Sequence, residues 1–207
     1  MQEVAAQLLA ALMSVAHGAI WWLVSRWERP GRAARLRARL RPPALIGRGG
    51  DLAQVVPLLY PAVVVVAPGW GYDGWLNWSS GIDLLLQGIG LALWATGIIV
   101  VVWAARVLGR YMSVDGLTVD HELVTSGPYR YVRHPVYASF TAIAAGTSLV
   151  FRSYLLVGIA AMWVAASMWW VAAEEKLLAS TEGFGDDYRA YTMRTGRFLP
   201  RLRHARG

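Results

Sequence analysis

Residues 82–105 read IDLLLQGIGLALWATGIIVVVWAA, and this run decides the fold class. Asp83, next to its start, is the only charged residue in it. The hydrocarbon core of a bilayer needs about 20 apolar residues in a helix, with a range of roughly 17–25. The run meets that requirement without the alternation expected of a half-exposed strand. Four further stretches approach it: 4–25, 52–67, 135–150 and 154–173. The sequence therefore predicts an all-α integral membrane protein with about five transmembrane helices. The 52–67 stretch carries Pro57 and Pro61, so a kink is expected there. Only Phe151, Arg152 and Ser153 separate the last two stretches, which predicts a tight antiparallel hairpin over 135–173. Gly88, Gly90 and Gly97 are expected to mark close helix packing.

Composition agrees with a membrane chain. The 207 residues are 56% hydrophobic and 16% charged, whereas about a quarter of an ordinary soluble domain is charged. The net charge is +7. In a soluble protein this would suggest nucleic acid, but here the basic residues lie between apolar runs, where anionic headgroups attract them. Membrane lipids are thus the expected partners, and nucleic acid is not. Cysteine is absent, which excludes disulfides, cysteine-ligated metals and a cysteine nucleophile. Residues 1–7 lack the basic region of a cleavable signal, and the apolar stretch that follows is long enough to span.

The basic residues also give an orientation. With five spans, the loop 26–48, the loop after residue 105 and the C-terminal tail share one side, and they hold every Lys and Arg except Arg152. The positive-inside rule then puts the N-terminus outside and the C-terminus in the cytoplasm. Arg26 to Arg41 is read either as a basic helix on the headgroups or as a solvated loop. Residues 69–80, with Trp70, Trp75 and Trp78, read as an interfacial loop on the outer side. The expected organisation is an N-terminal helical part, 1–108, and a functional part, 109–207.

The motif-dense polar segments, 109–137 and 174–200, fall on that cytoplasmic face. Thr125-Ser126-Gly127-Pro128 is turn chemistry whose free backbone groups can hold the edge of a flat heterocycle. Tyr129, Tyr131 and Tyr137 add aromatic faces; Arg130, Arg133 and His134 bring polar groups to the start of the fourth helix. Its N-terminus favours a bound carboxylate. Glu174 and Glu175 end the fifth helix at the same face, where a carboxylate pair could bind an ammonium or ribose hydroxyls. A pocket formed by the 109–137 loop, the hairpin and the tail would suit a zwitterionic nucleoside cofactor. Each residue also has a bland reading: an interface belt for the aromatics, topology signals for the arginines, solvated helix ends for the glutamates.

Taken in order, His121-Glu122-Leu123-Val124-Thr125-Ser126-Gly127-Pro128-Tyr129, Arg133-His134-Pro135-Val136-Tyr137, Glu174-Glu175-Lys176-Leu177-Leu178 and Phe184-Gly185-Asp186-Asp187-Tyr188 with Tyr191 resemble the isoprenylcysteine carboxyl methyltransferase family and the related membrane phospholipid methyltransferases. The resemblance covers nearly half the chain. It implies a helical membrane enzyme that binds S-adenosylmethionine at the cytosolic face; a polar pocket at the membrane face of an apolar bundle adds the expectation that a lipid-like acceptor enters sideways from the bilayer. By position, His121, Leu123 and Val124 would hold adenosine, largely through backbone. Gly127 and Tyr129 would line the pocket, and His134, Pro135, Val136 and Tyr137 would contact the cofactor. Glu174 would bind its polar end, with Glu175 nearby. Arg133 is the candidate to face the reacting centre; His134 and Glu174 are candidate general bases; Arg130 and Trp170 are candidate substrate contacts. No metal is required. The isoprenylcysteine enzymes carry a substrate-linked arginine where this chain has Trp170, which turns the expectation away from a prenylcysteine carboxylate. The arginine- and alanine-rich composition suggests a bacterial inner membrane. The rival readings are an NADPH-dependent sterol-type reductase, a non-catalytic scaffold of the same fold, and a transporter, for which His17 is the one clear mid-span candidate.

Overall fold

The computed structural model describes residues 3–27, 36–40, 42–111, 116–118 and 121–201. Its elements in chain order are α1 (Glu3–Trp27), β1 (Leu36–Arg39), α2 (Ala44–Val66), α3 (Pro68–Gly71), α4 (Asp83–Leu108), β2 (Gly116–Thr118), α5 (Pro135–Phe151), α6 (Tyr154–Leu178) and α7 (Asp186–Arg194). Four of them, α1, α2, α4 and α6, are long and apolar enough to cross a membrane. The fifth, α5, has 17 residues and sits at the lower limit. The protein is thus a helical integral membrane protein, with one short addition that periodicity did not reveal: β1 and β2 pair antiparallel.

Several boundaries differ from expectation. The second helix begins at Ala44, not residue 52, and runs unbroken through Pro57 and Pro61. It therefore carries Arg48, which the sequence reading left in the loop. Its early turns contain Gly47, Gly49, Gly50 and Asp51, which dilute the apolar signal although packing against α6 sustains the helix. At Gly50 an added Cβ would meet Ala166 Cβ at 3.4 Å. The last long helix extends to Leu178, so Glu174 and Glu175 lie within its final turns rather than ending it. Of the stretch 26–41, residues 36–39 are strand, not helix; 28–35 and 41 lie outside the described residues, as do the arginines at 203 and 206.

The α4–α5 pair forms the most extensive helix contact. Small residues explain how close it is. A Cβ on Gly90 would sit 2.8 Å from the Gly146 carbonyl oxygen, one on Gly97 2.8 Å from the Ser139 carbonyl oxygen, and one on Gly146 2.5 Å from the Gly90 carbonyl oxygen. Backbones approach this closely only where side chains are absent. Gly88, by contrast, meets nothing within 4 Å; the expectation that it marks packing is corrected, because it faces away from α5.

The α5–α6 turn is tight, as expected, and is locked from the far end of the bundle. Arg152 adopts φ 53° and caps α5. Its guanidinium is buried, lies 4.4 Å from the Tyr72 ring centroid, and donates to Asp83 Oδ2 at 3.0 Å and Asp73 Oδ1 at 3.3 Å. Ser153 caps α6, its Oγ accepting from the Leu156 N–H. At the opposite end, Arg106, Arg130, Arg133, Arg197 and Arg201 gather with the motif segments.

Candidate active site

The C-terminal tail clamps the 127–134 segment by backbone pairing. The Arg133 N–H donates to the Gly196 carbonyl at 2.8 Å, and the His134 N–H to the Arg197 carbonyl at 3.1 Å. From α7 the Tyr191 hydroxyl donates to the Tyr129 carbonyl at 2.5 Å. Burial pushes the Tyr191 hydroxyl up to about 12, so it remains a donor at neutral pH. Burial, and then the charge of Glu174, raises the Tyr129 hydroxyl further. The tail thus holds a short loop, a turn of 3₁₀ helix at Gly127–Arg130 and His134, the N-cap of α5, in one rigid arrangement.

Glu175 ties this arrangement to α6. Its Oε1 accepts from Arg133 Nε at 2.9 Å and lies 2.9 Å from Arg133 Nη2 and 3.3 Å from His134 Nε2. Its Oε2 accepts from Arg197. Arg133 Nη1 also donates to the carbonyls of Thr192 and Thr195. The Arg133 cation is therefore paired by α6 and the tail. Its neighbour Glu174 is held more loosely, by the Tyr137 hydroxyl and by His134 Nδ1 at 3.8 Å, and keeps a third of its side chain open.

Above this network lies a cavity of about 510 Å³, within the usual range of small-molecule sites, roughly 300–1,000 Å³. It is lined by His121, Leu123, Val124, Tyr129, Arg133, His134, Pro135, Val136, Tyr137 and Glu174, so these ten sequence-derived residues meet around one space. Gly127, Arg130, Glu175 and Trp170 are not in its wall. Gly127, at φ 57°, packs on α4, where an added Cβ would strike Val107 at 2.7 Å. Arg130 is exposed. Glu175 stands behind Arg133 and His134. Trp170 turns toward α2, its Nε1 3.6 Å from where a Gly50 Cβ would be.

Two buried polar atoms in the cavity wall, His121 Nδ1 and the Tyr188 hydroxyl, have no partner among the described residues. Burial lowers the His121 pKa, so its ring is held neutral between Tyr111 and Phe184, at centroid distances of 5.1 and 5.7 Å. Unpartnered donors and acceptors in an apolar wall are costly unless a ligand satisfies them. An open carboxylate, aromatic faces and two orphaned polar atoms fit a polar nucleoside bearing an amino group.

The same cavity continues into the bundle, where Leu58, Ile98, Val101, Phe140, Ile143 and Trp163 form an apolar limb. Trp163 stacks on Tyr137 with 16° between the rings. Asp51, Gln54, Val55 and Leu58 of α2 also line the cavity. Sequence reasoning missed them, although their spacing puts them on one helical face. His17 lies here too. Its Nε2 accepts from Trp94 Nε1 at 2.8 Å, which leaves Nδ1 to donate to the Leu58 carbonyl at 2.9 Å. Both nitrogens are thus satisfied within the bundle.

Residues 86–183 match the phospholipid methyltransferase family. The protein-S-isoprenylcysteine O-methyltransferase of Schizosaccharomyces pombe is 39% identical over 84 residues, covering 39% of this chain and 34% of that protein. The nickel-cobalt-cadmium resistance protein NccN of Alcaligenes xylosoxydans xylosoxydans is 30% identical, over 68% of this chain and 61% of the other. The cobalt-zinc-cadmium resistance protein CzcN of Cupriavidus metallidurans is 31% identical, over 67% and 59%. The chain therefore spans about a third of the first relative and about three fifths of the other two. Among solved structures, a eukaryotic intramembrane isoprenylcysteine carboxyl methyltransferase aligns over 97% of this chain and 87% of that one, at 20% identity and a TM-score of 0.47.

Proposed function

We propose, from the match of residues 86–183 to the phospholipid methyltransferase family and from the cavity, that the chain transfers a methyl group from S-adenosylmethionine to a membrane-partitioning acceptor. The observation that carries this reading is the continuity of the cavity. Its outer part is built from the motif residues and its inner limb from apolar residues of α2, α4, α5 and α6. A polar donor and a lipophilic acceptor can therefore meet inside one space, the arrangement a direct transfer needs.

S-adenosylmethionine, when bound, supplies a methyl group already activated on a sulfonium. The chain has to bind, align and exclude water. Tyr129 and Tyr137 supply flat walls, and His121 and Tyr188 the unpaired polar atoms. The Glu174 carboxylate is the natural counter-charge for an ammonium. Glu175 is a positioning residue, because it touches Arg133 and His134 and not the cavity. The His134 ring lies between the two glutamates, so a proton taken from an acceptor at His134 would have Glu174 as a second carrier. Leu58, Ile98, Phe140 and Ile143 keep the inner limb dry and receive the acceptor's hydrocarbon part. Residues 109–207 form the catalytic region, and the helices of 1–108 close the acceptor limb.

The arginines gathered at the site's end of the bundle support a cytoplasmic position for it, with the N-terminus outside, in a bacterial inner membrane. The deciding experiment is calorimetric titration of detergent-purified protein with S-adenosylmethionine and S-adenosylhomocysteine, followed by transfer of labelled methyl into lipid extracts. Saturable binding that Glu174→Gln weakens is the expected result. Well-folded protein that binds neither compound would overturn the reading.

A further inference from the structure

A second opening lies on the outer side of the α4–α5 pair, away from the cavity just described. It is a groove of about 420 Å³ along the two helices, walled by Val100, Trp103, Ala138 and Ala142 and roofed by Tyr131 and Phe198. Its walls are almost wholly apolar, and Trp103 and Tyr131 are 44% and 52% exposed at its upper rim. Amphipathic aromatic rings at this level are the usual markers of the headgroup boundary.

Two arginines stand at the same end. Arg130 lies between groove residues Pro128 and Tyr131, and Arg106 is three residues beyond Trp103, on nearly the same helix face one turn higher. Both are exposed, and neither has a carboxylate partner among the described residues. By contrast, Arg133 and Arg197 are paired with Glu175, and Arg201 donates to the carbonyls of Thr192 and Met193. An apolar slot in the span with two uncommitted guanidinium groups above it has the charge pattern of a lipid with an anionic phosphate headgroup. We propose that this groove holds the acyl chain of an anionic phospholipid whose headgroup is paired by Arg106 and Arg130. This site is separate from the acceptor limb, and it depends on the chain residing in a bilayer rather than on methyl transfer.

The test is native mass spectrometry of the detergent-purified full chain with equimolar phosphatidylglycerol and phosphatidylcholine. One arginine near a membrane surface contributes about fivefold to the affinity for anionic lipid, so two give roughly 25-fold. The expected result is a retained phosphatidylglycerol in clear excess over phosphatidylcholine. The double variant Arg106→Ala, Arg130→Ala should bring the two close to parity. Ala142→Phe, which fills the groove without touching either arginine, should abolish the retained lipid in protein that still elutes monodisperse and helical. Equal retention of both lipids by the unaltered chain would overturn the proposal. So would retention unaffected by Ala142→Phe, or a dimer that Ala142→Phe dissociates, which would mean that a second copy covers the groove.

Discussion

Arg133 and Glu175 are joined at 2.9 Å, from Nε and from Nη2 to the same Oε1, across the gap between the motif loop and α6. This contact directs the chemistry of the adjacent residues. Because Glu175 pairs with Arg133 and also accepts from Arg197, the carboxylate of Glu174 beside it is left to face the cavity, with only the Tyr137 hydroxyl and His134 Nδ1 against it among the described residues.

Removing the carboxylate of Glu175 should therefore do more than lose one ion pair. Glu175→Ala leaves Arg133 half-stranded in a nearly buried place, which costs about 3–5 kcal/mol. A thermal melt in detergent should show a large fall in Tm. Glu175→Gln, which can still accept from Arg133, should recover part of it. Equal melts for the alanine variant and the parent would mean that the network does not hold the loop.

Glu174→Gln should behave differently, since Glu174 anchors little of the fold. Its melt should stay near that of the parent, while donor affinity falls by about 10- to 100-fold, the value of a hydrogen bond to a charged group. A fall in Tm equal to that of Glu175→Ala would assign Glu174 to the structural network instead.

The α4–α5 seam offers a paired test. Gly146→Ala puts a Cβ 2.5 Å from the Gly90 carbonyl oxygen and 2.6 Å from Trp94 N, so it should destabilise by about 1–3 kcal/mol through forced separation of backbones. Gly88→Ala meets open space and should be neutral or stabilising by up to about 1 kcal/mol, from helix propensity. Urea or heat unfolding that ranks the two in reverse order would contradict the packing described.

Arg152 makes a comparable test at the other end. Arg152→Gln removes the cation that joins Asp73 and Asp83 to the α5–α6 turn. Asp83 keeps its hydrogen bonds from the Ser80 N–H and hydroxyl, so what is lost is the tie between the two loops and the turn, read as a lowered Tm with donor affinity unaffected at temperatures where the protein is folded.

Acid should weaken the fold through His121. Burial lowers its pKa in the folded chain, while the unfolded chain takes up a proton near pH 6.5. Below that pH the unfolded state binds more protons. The stability contributed by neutral His121 is therefore intact above about pH 6.5 and is lost as pH falls through the folded value. His121→Asn, which does not titrate, should flatten that limb of the Tm–pH curve. An identical slope in the variant would show that another group is responsible.

The sequence by itself determined the membrane class, the helical hairpin and the identity of the motif residues. Each of these rests on local signals: apolar length in 82–105, the three-residue break at Phe151-Arg152-Ser153, and the ordered motifs from His121 to Tyr191. Helix bounds were less legible where polar residues dilute the apolar signal, as in the early turns of α2 at Gly47 to Asp51. Only the tertiary structure decided what those residues do to one another. It separated Glu174 from Glu175, adjacent in sequence, by turning one carboxylate toward the cavity and the other onto Arg133, His134 and Arg197. It faced Gly90 and Gly97 onto α5 and left Gly88 open. It brought Asp51, Gln54 and Leu58 of α2 to the same space as residues more than sixty positions away. The physical reason is that burial and charge pairing depend on what lies across a helix interface. Sequence spacing specifies a face of a helix; it does not specify the neighbour that face meets.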